Sequence, residues 1–145
     1  MQALPHQYQA RASGRPDAYL DVSVENIPDL VVAPPAQFGG PGDEWSPEDL
    51  FMASIASCFI LSFRAIARAS KLSWLSIECD SEGVLDRVEG ITQFTKVVTR
   101  ATLLIPATES IENAERLLHK AEKSCLVVNS LTSESLLECA VTIET

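Results

Sequence analysis

The chain has 145 residues, of which 46% are hydrophobic and 21% charged, with 11 basic against 20 acidic side chains and a formal net charge of −9. A chain of this length normally forms one domain, here residues 1–145, and buries roughly 70% of its unfolded surface, so its core needs neither a disulfide nor a metal. The acidic balance argues against nucleic acid and against an anionic membrane surface as partners, because both attract a basic surface.

Two short strands are predicted first, over residues 6–12 and 18–25, with a turn between them. In the second strand Leu20, Val22 and Val24 alternate with polar residues, which is the period of a half-buried strand. Residues 33–46 then hold three of the eight prolines and three of the six glycines. This composition is typical of an irregular loop.

A long helix is predicted from Pro47 to about Ser70. Ser46 is a suitable N-cap, proline fits the first helical position, and Asp49 resembles the acidic member of a capping box. The uncharged stretch at residues 50–63 is apolar on every side but shorter than the roughly twenty residues that span a bilayer. We therefore expect a deeply buried helix, covered in part by a second copy of the chain in a homodimer.

A hairpin, a second helix and a last strand follow the long helix. The hairpin turns at Glu89-Gly90, and the second helix carries apolar residues at 3-4-3-4 spacing. The predicted ranges are 75–88, 91–105, 109–125 and 135–144. This order of elements predicts an α+β fold with mainly antiparallel sheets around the long central helix.

The four cysteines fall into two kinds. Cys79 and Cys139 take inward positions of alternating strands, where a free cysteine commonly serves as a small core side chain. Cys58 and Cys125 instead lie on the buried side of the two helices, each beside a conspicuous local pattern. With no CxxC pair and no export signal in the first twenty residues, we expect free thiols in a reducing cytoplasm.

The patterns beside the helical cysteines resemble the two signatures of the OsmC/Ohr family of osmotically induced and organic hydroperoxide resistance proteins. The first consists of residues 40–42 (GPG), 46–51 (SPEDLF) and 56–59 (ASCF), and the second of residues 120–129 (KAEKSCLVVN). The resemblance covers nearly the whole chain, including the order of its elements. It implies an intertwined α+β homodimer.

The resemblance also implies a thiol peroxidase that reduces organic hydroperoxides to alcohols. Cys58 would be the peroxidatic residue and become a sulfenic acid, with which the resolving residue Cys125 condenses into a disulfide. An external dithiol, of lipoyl type in the organic hydroperoxide group, would reduce that disulfide. An apolar pocket around Phe51, Phe59 and Phe63 would suit an organic substrate.

A thiol buried in an apolar helix keeps its proton, so a nucleophilic cysteine there needs a nearby cation. The family uses an arginine oriented by a glutamate, and that glutamate falls on Glu48. Because ten residues of helix, about 15 Å, separate Glu48 from Cys58, we expect Glu48 of one chain to approach Cys58 of another. The alternative is that Glu48 acts only through the helix dipole. The family's GGR-type turn is matched best by Gly14-Arg15, with Arg11 as the second choice.

Two departures from the family pattern leave a second function open. Leu126 stands where the family usually has proline, and the GGR-type turn is incomplete. The alternative is a protein of the same fold that binds a small apolar ligand, or senses redox state, with little turnover. His6 and His119 lack the spacing of a zinc site with the cysteines, so we expect no metal and no bound cofactor. The expected partners are an organic hydroperoxide, a dithiol reductant and a second copy of the chain.

Overall fold

The computed structural model describes residues 1–145. The chain divides into two compact units, the N-terminal unit Met1–Phe51 and the C-terminal unit Met52–Thr145. Helix α1, Pro47–Ala69, begins in the first unit and continues in the second. Each unit contains one three-stranded sheet, and helices form the rest of the regular structure. The predicted α+β class is confirmed.

The N-terminal unit has an antiparallel sheet in the order β1-β2-β3. Its strands are Arg11–Ser13, Leu20–Ser23 and Leu30–Val32, and a single 3-10 turn, Ala36–Phe38, interrupts the predicted loop. The first two strands are shorter than predicted. The third was not predicted, because three residues are too few to display an alternating pattern.

The start of α1 is a capping box, as the sequence predicts. The Asp49 backbone N–H donates to Ser46 Oγ at 3.0 Å, and the Asp49 carboxylate accepts from the Ser46 backbone N–H at 3.2 Å and from its hydroxyl at 2.8 Å. Ser46 is fully buried. These reciprocal bonds occupy donors that the first turn of a helix otherwise leaves unpaired.

Replacing Ser46 with alanine is expected to lower the free energy of unfolding by about 1 kcal/mol, the usual effect of losing an N-cap. Chemical denaturation of Ser46→Ala measures the loss. Ser57→Ala is the matched control, because the exposed Ser57 hydroxyl donates only to backbone carbonyls of its own helix, to Ala53 at 2.7 Å and to Ser54 at 3.4 Å. Equal losses in the two variants would contradict the capping role.

The C-terminal unit contains the remaining helices and strands, and each predicted element is present with its ends at most two residues from the predicted ones. The observed bounds are β4 Ser76–Val88, β5 Ile91–Ile105, α2 Ile111–Ser124, α3 Leu126–Asn129 and β6 Glu134–Ile143. At the hairpin turn Glu89 and Gly90 have φ values of 51° and 80°. Positive φ at both positions is typical of the tight turn that suits the twist of a hairpin.

The second sheet has the order β4-β5-β6 and mixes two kinds of pairing. Strands β4 and β5 pair antiparallel, while β5 and β6 pair parallel. The parallel pair follows from the crossover, because α2 carries the chain back to the end of the sheet at which β5 began. The register aligns Cys79, Ala101 and Cys139 in one row across the three strands.

The core of the C-terminal unit forms where α1 and α2 cover one face of this sheet. Side chains of α1 at four-residue spacing, Phe59, Phe63 and Ala67, pack in one cluster with apolar residues of α2 and β5. The ring of Phe63 meets Trp74 edge to face, with centroids 5.7 Å apart. The opposite side of α1 is only half-buried or exposed within this chain. By length and composition α1 could cross a bilayer, as could many core helices.

Candidate active site

The structure brings the two motif cysteines together. Cys58 lies on α1, and Cys125 forms the link between α2 and α3. Their side chains lie close enough together for Cys58 to raise the pKa of the Cys125 thiol. Both are free thiols, with Cys125 fully buried and Cys58 half-buried. The C-terminal unit therefore contains an adjacent pair of thiols of unequal exposure.

The two thiols also differ in acidity. Burial raises the pKa of the Cys125 thiol above its ordinary value, and the neighbouring Cys58 raises it further. The backbone amides of Val128 and Val127 act in the opposite direction and do not outweigh these effects. Cys125 therefore keeps its proton at neutral pH.

Leu126 is the first residue of the short helix α3, directly after Cys125. The Asn129 backbone N–H donates to the Cys125 carbonyl at 2.9 Å, which closes the first turn of α3. Cys125 itself is extended, with φ −69° and ψ 108°. A first helical position after an extended residue is one that proline also fits. The helical turn after Cys125 thus forms with leucine at this position.

Leu126→Pro is expected to raise the free energy of unfolding by about 0.4–1 kcal/mol, because proline restricts the unfolded chain without changing this backbone conformation. Disulfide formation between Cys58 and Cys125 should proceed at the parent rate. Val127→Pro is the control and should destabilise the protein, since it forces Leu126 out of its helical conformation. A destabilised Leu126→Pro variant would show that leucine is required here.

Cys79 and Cys139 pack against the core, which confirms their predicted inward positions. Burial raises the pKa of Cys79 to about 11, and Coulombic interactions with Asp80 and then Cys125 contribute. The interaction with Cys125 makes Cys79 a third thiol near the pair, which sequence patterns did not indicate because it depends on how α2 packs on the sheet. Cys139 Sγ lies 3.8 Å from His119 Nε2, and burial raises its pKa as well. Neither thiol ionises readily.

Glu48 and Arg15 both lie in the N-terminal unit. Glu48 stands in the first turn of α1, where its Oε2 is buried and accepts no hydrogen bond. Arg15 is exposed in the turn between β1 and β2 and borders a surface cleft of about 490 Å³ together with Tyr19. Both ion pairs of the chain belong to Arg100, so Glu48 and Arg15 are not paired within it. A buried carboxylate oxygen without a partner is costly, and a cation would satisfy it.

The second-choice arginine, Arg11, is exposed on β1 and borders a different surface cleft, of about 410 Å³, with Gln7 and Glu25. The two candidates for the activating arginine, Arg15 and Arg11, therefore lie at different clefts, and neither forms an ion pair with an acidic side chain. One contact in this unit has no sequence signal: the Tyr19 hydroxyl donates to the Asp43 carboxylate.

Two of the three phenylalanines expected around an apolar pocket belong to the core of the C-terminal unit. Phe59 and Phe63 are 1% and 0% exposed because they belong to the core. Two other apolar side chains stand beside the thiols and stay exposed. Leu61 follows Cys58 by one turn of α1 and is 57% exposed, and Leu126 is 68% exposed. Exposed leucines therefore lie close in sequence to both thiols.

The fold and the site define a small α+β protein with an adjacent pair of free thiols. The sequence model of the OsmC-like protein family matches residues 40–140, which include both motif cysteines and Glu48. The chain belongs to the OsmC-like family. The resemblance recognised from the two motifs is confirmed.

Relatives within the family agree with this assignment. The organic hydroperoxide resistance protein of Xanthomonas axonopodis pv. citri is 30% identical over 113 residues, which cover 75% of each chain. The uncharacterized protein YmaD of Bacillus subtilis is 22% identical over 113 residues, covering 76% of this chain and 75% of YmaD. The solved structure of an OsmC-like protein of unknown function from Vibrio cholerae has the same fold. It matches with a TM-score of 0.85 at 20% identity, over 94% of this chain and 100% of that one.

Proposed function

We propose that this protein is a cysteine-based peroxidase that reduces organic hydroperoxides to alcohols. The observation that carries the proposal is the proximity of two free thiols, because Cys58 lies near enough to Cys125 to raise its pKa. Vicinal thiols of unequal exposure suit a reaction in which one attacks and the other resolves. The name of the Xanthomonas relative supports the same substrate class.

The reaction uses two steps and leaves the protein oxidised by two electrons. The Cys58 thiolate attacks the terminal oxygen of the O–O bond, which breaks and yields a sulfenic acid and an alkoxide that takes up a proton to become the alcohol. The Cys125 sulfur then attacks the sulfenic sulfur, and water leaves as the disulfide forms. An external dithiol, of lipoyl type, returns both cysteines to thiols by exchange. No bound cofactor takes part.

The roles of the two cysteines are assigned from their exposure and their protonation state. Cys58 is half-buried and so more open to a hydroperoxide than the fully buried Cys125. The raised pKa of Cys125 keeps it a thiol, which disfavours it as the first nucleophile. A protonated thiol next to Cys58 would also stabilise negative charge on that sulfur. Cys58 is therefore the peroxidatic residue and Cys125 the resolving residue.

Activation of Cys58 is proposed to require a homodimer. Glu48 of one chain orients Arg15, and together they approach Cys58 of the other chain, where the guanidinium favours the thiolate. The buried Glu48 oxygen without a partner supports a missing cation at this position. The exposed side of α1, on which Leu61 is 57% exposed, supports coverage by a second chain.

The substrate is proposed to be an organic hydroperoxide, encountered in a reducing cytoplasm. Leu61, one turn after Cys58, and Leu126, directly after Cys125, both leave exposed apolar surface. An alkyl or aryl group that covers such surface makes the free energy of binding more favourable, because apolar area is removed from water. Hydrogen peroxide has no apolar part and lacks this contribution. This favours organic hydroperoxides over hydrogen peroxide.

Titration of free thiols after mixing the reduced protein with one equivalent of cumene hydroperoxide tests the proposal. Two of the four thiols should disappear rapidly, with a mass loss of about 2 Da and a disulfide-linked peptide pair containing Cys58 and Cys125. Cys79→Ser is the matched control. It removes the third thiol near Cys125 and should leave both the rate and the linkage unchanged.

Unchanged thiol content after prolonged exposure would refute the peroxidase function and favour the ligand-binding alternative. If the protein is oxidised once but does not turn over repeatedly in excess dihydrolipoamide, it is a redox sensor. Repeated turnover with that dithiol, at a higher rate for cumene hydroperoxide than for hydrogen peroxide, is the result that we expect.

A further inference from the structure

A surface hydrogen bond joins the turn that carries Arg15 to the segment that leads into α1. The Tyr19 hydroxyl donates to the Asp43 carboxylate and lies 3.3 Å from each of its oxygens. Tyr19 follows Arg15 by four residues and borders the same surface cleft. Asp43 precedes Glu48 by five residues. The hydrogen bond thus connects the neighbourhoods of the two residues proposed to activate the thiol.

The backbone of the N-terminal unit brings these two side chains together. Leu20, the residue after Tyr19, pairs with Val32 in the sheet. Val32 also forms a parallel bridge with Trp45, two residues after Asp43. Val32 of strand β3 therefore pairs with a residue close to each end of the hydrogen bond, Leu20 next to Tyr19 and Trp45 near Asp43.

The turn has a second attachment at Gly14. A Cβ atom added at Gly14 would overlap the Leu20 side chain, so this backbone packs directly on the start of β2. Arg15 follows immediately. The turn is held at Gly14 on one side of Arg15 and at Tyr19 on the other.

The electrostatics of the contact keep Tyr19 a donor. The Asp43 charge raises the pKa of the Tyr19 hydroxyl, with smaller contributions from burial, the hydrogen bond and Glu44. The hydroxyl therefore stays protonated at neutral pH. Tyr19 is 47% exposed and adds little to the core, so the contact positions the turn more than it stabilises the fold.

We propose that Tyr19 and Asp43 are positioning residues, which hold the Arg15 turn against the start of α1 so that Arg15 stays within reach of Glu48. This inference rests on the proposed peroxidase function and on the assignment of Arg15 as the activating cation. Neither Tyr19 nor Asp43 touches the substrate. Their effect on the reaction passes through Arg15 alone.

Tyr19→Phe tests the proposal through two independent readouts. The rate of thiol loss with cumene hydroperoxide should fall by about threefold to tenfold, the effect of one lost hydrogen bond, while the thermal midpoint stays near that of the parent. Backbone hydrogen exchange in peptides covering residues 13–19 should become faster, whether or not the protein reduces peroxides. Tyr8→Phe, which removes a hydroxyl whose contact is with His6, should change neither readout.

Two further variants separate positioning from a general structural effect. Asp43→Asn keeps an oxygen that accepts from Tyr19 and should retain the parent rate, whereas Asp43→Leu should behave as Tyr19→Phe does. In an Arg15→Ala background, Tyr19→Phe should cause no further slowing.

If Tyr19→Phe leaves the backbone hydrogen exchange of residues 13–19 unchanged, the proposal is wrong. It is also wrong if Tyr19→Phe slows peroxide oxidation equally in the Arg15→Ala background. Failure of the parent protein to lose two thiols refutes the peroxidase function instead. The exchange measurement does not depend on activity, so the two failures are distinguishable.

Discussion

Cys58→Ser is expected to slow oxidation of the protein by cumene hydroperoxide at least about 1,000-fold, because a serine hydroxyl cannot replace the thiolate as the attacking group. All three remaining thiols should survive exposure to one equivalent of the peroxide. Stopped-time thiol titration measures the rate, and intact mass should show no addition of oxygen. Cys139, whose raised pKa keeps it protonated, cannot take over the reaction.

Cys125→Ser and Cys139→Ser complete this series. Cys125→Ser should still consume one thiol, at Cys58, and accumulate a sulfenic acid that dimedone traps and that excess peroxide converts to sulfinic acid. Cys139→Ser should match the parent, since Cys139 neighbours His119 and not the thiol pair. Rapid loss of two thiols in Cys58→Ser would reassign the attack to Cys125 or Cys79.

Arg15→Ala is expected to slow the same oxidation by about 10- to 100-fold, because the variant removes the cation that we propose to stabilise the thiolate. The second-order rate constant with cumene hydroperoxide, obtained from timed thiol titration, measures the effect. Thermal stability should change little, since Arg15 is exposed and forms no ion pair within the chain.

Arg11→Ala is the matched control for this prediction. Arg11 is also exposed, also carries one positive charge, and borders a separate cleft, so it tests whether net charge alone affects the rate. Its oxidation rate should stay within about twofold of the parent, as expected for a remote surface charge screened by salt. A slower Arg11→Ala with an unaffected Arg15→Ala would transfer the activating role to Arg11.

The elements that sequence patterns predicted well are those with strong local signals. The capping box at Ser46 and Asp49 determines where α1 begins through contacts between residues three apart. The turn at Glu89-Gly90 is equally local, since two residues with positive φ suffice to reverse the chain. Such features depend on residues close together in the sequence, so they can be predicted without knowledge of the tertiary structure.

The elements that sequence patterns missed are those that depend on distant partners. Strand β3 has only three residues, and its pairing with β2 and its bridge to Trp45 define it. The parallel pairing of β6 follows from the crossover through α2 and has no signature within the strand itself. The burial of Phe59 and Phe63 likewise depends on which face of α1 meets α2 and β5.

The sequence by itself determined the family, the two motif cysteines and the start of the central helix, because motifs and caps are local arrangements of residue types. Only the tertiary structure decided that Cys58 and Cys125 interact, that Cys79 stands near them, and that Tyr19 meets Asp43. These contacts join residues far apart in the chain. They arise from helix packing and strand register, which the summed burial of many side chains determines and no single motif encodes.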